Sequence, residues 1–131
     1  MTPTPGPVPV PSHWLRPQQR PPRTGRRSDA VAELHLTCAA GDHEVEAFVR
    51  DLERGRRIDI VGQVTSTRDR HVPCAGVPLA LVSARDGAIV ATTSTSAFGE
   101  FVFDPSPAGT FGLRLGWGPQ APIVLLWEGD L

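Results

Sequence analysis

The 131-residue sequence has no tyrosine, a single methionine, two cysteines and only 6% aromatic residues. Lysine is missing too, so all thirteen basic residues are arginine. A GC-rich coding sequence produces such a bias. Arginine gathered on one surface would suit phosphate recognition, but these arginines are scattered and mostly accompanied by acids. No apolar run approaches the roughly 20 residues that a membrane-spanning helix needs. Nor does an apolar stretch of about 7–15 residues follow a basic start, so no secretory signal is read and a cytoplasmic location is expected. There the two cysteines, Cys38 and Cys74, are expected to stay reduced. Glycine-rich phosphate loops are lacking, because Gly109 to Gly112 and Gly116 to Gly118 punctuate turns. No serine sits in a nucleophile elbow, and His13, His35, His43 and His71 are dispersed. These absences point away from an enzyme, and no catalytic, cofactor-binding or metal-binding residue is assigned.

What is present is uneven. Residues 1–28 carry five arginines and no acid, whereas residues 29–131 carry eight arginines against all fourteen acids, leaving +5 and −6. The first 22 residues hold eight prolines, which deny helix and ladder bonding, and only Val8, Val10, Trp14 and Leu15 offer anything to bury. Residues 1–28 are therefore expected to form a disordered Pro/Arg-rich tail. Its arginines could touch phosphates weakly, but the acidic remainder excludes a specific nucleic-acid surface. Trp14, Trp117 and Trp127 are read as core or rim packing.

A helical segment is predicted over residues 29–56. Asp42 suits an N-cap, Glu44 and Glu46 the first turn, and Gly55 a C′ position. Val45, Phe48, Val49 and Leu52 recur at i, i+3, i+4 and i+7, and Glu46 to Arg50 adds an i,i+4 pair. Residues 30–40 fit either a helix through Val31, Leu34 and Cys38 or a strand through Leu34, Leu36 and Cys38. The helix is preferred, giving an αα-hairpin through Gly41.

From residue 57 to 131 the pattern is β. Ile58, Ile60 and Val64 alternate, then come Val77 to Val82, a turn at Asp86-Gly87, and Ile89 to Ser94. A tight turn closed by Gly99 leads into Phe101-Val102-Phe103. Phe111, Leu113 and Leu115 alternate, and Ile123 to Trp127 follows. Six or seven short strands at intervals of roughly ten residues predict an antiparallel Greek-key-like β-sandwich, with Phe101, Phe103, Leu79, Leu81, Val64 and Leu113 in its core. Pro78 lacks a donor, so the strand Val77 to Val82 is expected at an edge or a bulge.

Val61-Gly62-Gln63-Val64, Ala75-Gly76-Val77-Pro78-Leu79-Ala80-Leu81, Thr93 to Phe103 and Pro107-Ala108-Gly109-Thr110-Phe111 with Leu113 occur in that order. Over about residues 58–128 this resembles a carboxypeptidase regulatory-like domain, a family built on a transthyretin-like sandwich. Its pattern is Gly-x-Val, (Pro)-hydrophobic, Thr-x-x-x-Gly-x-Phe and Pro-x-Gly-x-Tyr/Phe. The chain departs at Phe111, where tyrosine is usual, and at Ala97-Phe98, where a polar pair often stands. The resemblance implies a non-catalytic accessory module. The hydroxyisourate hydrolase on the same sandwich needs a C-terminal Tyr-Arg-Gly-Ser, whereas this chain ends Trp127-Glu-Gly-Asp-Leu131.

One constellation has ligand spacing: His35-x-x-Cys38 and His71-x-x-Cys74, whose imidazoles and thiolates would suit tetrahedral zinc. It holds together only if residues 30–40 are helical. Residues 35–48 also faintly resemble an anti-sigma zinc-finger segment, with the His–Cys spacing one residue short and Gly41 where a second cysteine would stand. A degenerate anti-sigma-like regulator or a small zinc protein is thus the alternative. The main expectation is an interaction module in a bacterial regulatory or signalling operon, with no cofactor and no membrane contact. It would contact another protein and itself be a monomer or weak homodimer. The stripe Val45–Leu52 is expected to dock on the chain's own sheet, leaving an opposite edge to a partner strand.

Overall fold

A computed structural model describes residues 10–20, 32–52, 57–69, 72–105 and 109–128. It is built of nine strands, with no helix among the described residues. β1 (Gln18–Arg20), β2 (Ala32–Ala40), β3 (His43–Leu52) and β4 (Arg57–Ser66) form an antiparallel meander. β7 (Glu100–Phe103) completes this five-stranded sheet beside β4. The other sheet runs β6 (Ile89–Ser94), β5 (Pro78–Ser83), β8 (Phe111–Leu115) and β9 (Ile123–Trp127), also antiparallel.

The predicted helices are not observed. The same segment contains a second period, because Val45, Ala47 and Val49 also alternate, and those three are buried. Phe48 points to the other face, where it stacks on His35. Gly41-Asp42 is the two-residue connection of a hairpin, with Ala40 opposite His43 and Gly41 at φ 64°. A glycine-acid pair between two alternating runs is a hairpin signal, and it outweighs the N-cap reading of Asp42. Pairing with β2 on one side and β4 on the other satisfies the β3 backbone along its length. The C′ position assigned to Gly55 lies outside the described residues.

The six strands predicted beyond residue 57 are all present. Val64, Leu79, Leu81, Phe101, Phe103 and Leu113 are buried in one cluster that draws on both sheets. Phe101 lies over Gly62 of β4, where a Cβ would collide with its ring and with the Glu46 carbonyl. Pro78 departs from expectation, since β5 is interior, between β6 and β8. Its missing donor is tolerated because it opens the strand, while its carbonyl accepts from the Gly116 N–H at 2.8 Å.

The N-terminal region is the larger correction. Residues 1–9 and 21–28 of the expected tail lie outside the described residues, but 10–20 are packed. Trp14 is only 6% exposed and joins Val10, Ala80, Val82 and Leu125 on the outer face of the four-stranded sheet. Gly112 makes room for it, since a Cβ there would sit 2.7 Å from Trp14 Cζ3. The Leu15 N–H donates to the Ile123 carbonyl (2.7 Å), and the Leu125 N–H donates to the Leu15 carbonyl (2.9 Å). The chain then crosses to the other sheet and pairs β1 with β2. One short segment thus clips the two sheets together on one side.

Candidate interaction surface

The two sheets end in four edge strands, and they are treated differently. β1 is three residues long, and β9 is covered by the parallel bridge to Leu15. β6 and β7 remain, side by side on the opposite flank. Among the described residues no strand pairs with the outer edge of β6. Natural edge strands are normally blunted by charge, proline or a covering loop. β6 has neither charge nor proline, lying within a charge-free stretch from Gly87 to Gly99, and its one irregularity is a bulge at Val90 against Leu81 and Val82 of β5. Ala91 turns toward the core, whereas Ile89, Val90 and Thr92 are exposed, the first two at 51% and 46%.

Between β6 and β7 runs a cleft of about 560 Å³, lined among others by Val90, Thr92, Val102, Phe103, Pro105 and Phe111. Phe103 and Phe111 are buried, Val102 is 59% exposed, and the exposed Asp104 adds one carboxylate. An edge strand's unpaired N–H and C=O groups beside a cleft of mixed polarity can receive an extended segment. Backbone bonds would give affinity, and alternate side chains would enter the cleft.

The corner at the end of this flank is rigidly tied. Thr95 is buried, and its hydroxyl donates to the Cys74 carbonyl while accepting the Val77 N–H at 2.8 Å. Gly99, at φ 73°, passes its carbonyl to the Val64 N–H (2.8 Å), and a Cβ there would press on the Val64 carbonyl. β6 and β7 therefore leave the turn in fixed positions.

The doubled His-x-x-Cys is not assembled. In β2, three residues apart means opposite faces: Cys38 packs toward the core, and His35 stacks on Phe48 at 4.3 Å on the outside. Burial pushes the Cys38 thiol pKa above its ordinary value, which disfavours the thiolate a metal would bind. His35 Nε2 lies 3.2 Å from Glu46 Oε2 without making a hydrogen bond. Cys74 sits in the loop before β5, and His71 lies outside the described residues. Among the described residues no group of three or more His, Cys, Asp and Glu side chains is placed to hold a metal ion. His13 is exposed, and His43 opens β3 rather than a helix.

Two other surfaces carry less. The outer face of the five-stranded sheet places Phe48, Val61 and Val102 in one cross-strand row, beside the Arg50–Asp59 ion pair. A recess of about 320 Å³ under the clip is lined by Leu34, Leu36, Leu126 and Trp127, with the Arg16–Glu128 ion pair (3.3 Å) on its rim. Sequence reasoning placed the partner edge at Val77 to Val82, whereas the structure puts an unpaired edge one strand further out. The run without charge from Gly87 to Gly99 was the available signal. No helix among the described residues is long and apolar enough to cross a membrane. Comparison with protein families, characterised proteins and solved structures gives no match to this chain.

Proposed function

We propose that this chain is a non-catalytic interaction module that binds another protein by adding a partner strand to the edge of β6. The observation that carries the reading is an uncharged edge with no described partner strand, alongside a cleft of mixed polarity, on a body whose opposite edge is covered. The likeness to carboxypeptidase regulatory-like domains, with their Greek-key sandwich, supports the same reading. The residues of its Thr95-x-x-x-Gly99-x-Phe101 element meet at one corner, as hydroxyl bridge, positive-φ turn and ring over Gly62. A place in a bacterial regulatory or signalling operon is part of this proposal and rests on that likeness.

The test is a photo-crosslinking residue at Val90, compared with one at the exposed Trp117, in the host cell. Adducts of one defined mass at Val90 and none at Trp117 support the reading. Equal adducts at both positions, or none at Val90, overturn it.

A further inference from the structure

The contact that closes β9 has the anatomy of a bound peptide. A turn, closed by the Trp14 N–H donating to the Pro11 carbonyl at 3.0 Å, presents the indole. That indole is buried in a notch that exists because position 112 is glycine: a Cβ there would lie 2.7 Å from Cζ3 and 2.9 Å from Cε3. Leu15 then joins β9 as a one-residue parallel strand, and Arg16 reaches the Glu128 carboxylate on the rim. A buried aromatic anchor, backbone pairing at a sheet edge and a charge on the rim are how extended peptides are held. We infer that this groove is a second protein-binding site, which takes a Trp-Leu-basic segment of another protein, with residues 10–20 as its tethered competitor.

Pro17 selects the occupant. A parallel ladder would continue through the N–H two residues beyond Leu15, and there stands Pro17, which has none. The chain's own segment therefore pairs with β9 through two hydrogen bonds and stops. The same segment from a second copy would make the same two bonds without the proximity that the tether confers, so it has no advantage over the first. A foreign segment with the same anchor and a donor in place of Pro17 gains a bond that the tethered one cannot make. A basic residue after the leucine suits Glu128 and the −6 carried by residues 29–131. The groove lies at the opposite edge of the sheet from β6, so this inference and the reading of β6 stand or fall separately.

The experiment is fluorescence anisotropy of a labelled peptide of residues 10–20 on the full-length protein. The Trp14→Ala chain has lost its own anchor, and the peptide is expected to bind it about tenfold or more tightly than it binds wild type. A Pro17→Ala peptide is expected to bind about 2–10-fold more tightly still, which is what one hydrogen bond gives. A Trp14→Ala peptide is expected not to bind, and Gly112→Ala in the Trp14→Ala chain is expected to weaken binding of the anchored peptide. Should the Trp14→Ala chain not fold, wild type with a protease site inserted between residues 20 and 32 is cut instead. Excess peptide is then expected to displace the cut segment while the rest of the chain stays folded. Binding that ignores the anchor, no binding to a folded Trp14→Ala chain, or a cut segment that cannot be displaced overturns the proposal. Equal binding of the Pro17 and Pro17→Ala peptides overturns it in favour of exchange between copies. None of these outcomes changes what crosslinking at Val90 reports.

Discussion

The four-stranded sheet ends in two edges that the chain handles in opposite ways. At β9, Leu15 adds its backbone to the ladder and Trp14 covers the adjoining face above Gly112. At β6, six residues without charge form an edge to which no described strand is hydrogen-bonded on the outer side. The cover at β9 is drawn from residues distant in sequence, and it closes the outer end of the sheet while holding β1 to the other sheet. Among the described residues the sheet is therefore closed at one edge and open at the other.

The comparison can be broken most forcefully at the covered edge. Trp14→Ala empties the site it fills beside Val10, Ala80, Val82 and Leu125 and is expected to cost about 3–5 kcal/mol, read as a lower denaturation midpoint. If the segment were a loose tail, the same change would leave the midpoint unmoved. Gly112→Ala drives a methyl into the Trp14 ring from below and is expected to cost about 1–3 kcal/mol by overpacking. Pairing it with Trp14→Ala should recover part of that loss, because the colliding ring is gone; strict additivity would show that the two do not touch.

A change of similar size tests what fixes the open edge. Thr95→Val removes the hydroxyl that joins the Val77 N–H to the Cys74 carbonyl, leaving both unpaired, and is expected to cost about 1–3 kcal/mol in urea unfolding. At the edge itself, Val90→Lys/Thr92→Lys is expected to move the stability of the monomer by no more than about 0.5 kcal/mol. A large loss there would mean these side chains are packed in the single chain.

The smallest effect is alkaline. The chain has no lysine or tyrosine, and Cys38 is the group whose burial bears on alkaline stability. Burial raises the folded-state pKa of Cys38, so its contribution is fully present below the unfolded thiol pKa and fades as pH rises through the folded one. Alkylation of Cys38 at pH 8 should be slower in the native chain than in urea, and Cys38→Ala should flatten the alkaline decline in stability. Equal alkylation rates would show a solvated thiol.

What the sequence revealed depended on how local the cause was. The strands after residue 57 were legible because alternation and turn residues such as Asp86-Gly87 and Gly99 act within a few positions of one another. Over residues 32–52 two periods coexist, and Val45, Phe48 and Val49 suit a helix as well as Val45, Ala47 and Val49 suit a strand. Only the ladders to β2 and β4 decide between them, and ladders are non-local. Trp14 on Gly112 joins residues nearly a hundred positions apart, and no short-range pattern announces such a contact. The candidate surface was half legible. An unpaired edge was expected, but proline was taken as its marker, whereas a strand can open on proline and lie inside the sheet. The lack of charge over Gly87 to Gly99 was the better marker, because edges are where charge is usually needed.

The asymmetry of the two edges is tested most directly by amide hydrogen exchange, resolved to single residues, on dilute monomeric protein. The Leu125 amide, bonded to Leu15, should be strongly protected and should lose that protection in Trp14→Ala. Along Ala91–Ser94, the regular part of the strand, every second amide should exchange quickly and the alternate ones, bonded to β5, slowly. Uniform protection across β6 in the monomer, or a Leu125 amide that exchanges as fast as the outward β6 amides, would contradict a molecule closed at one edge and open at the other.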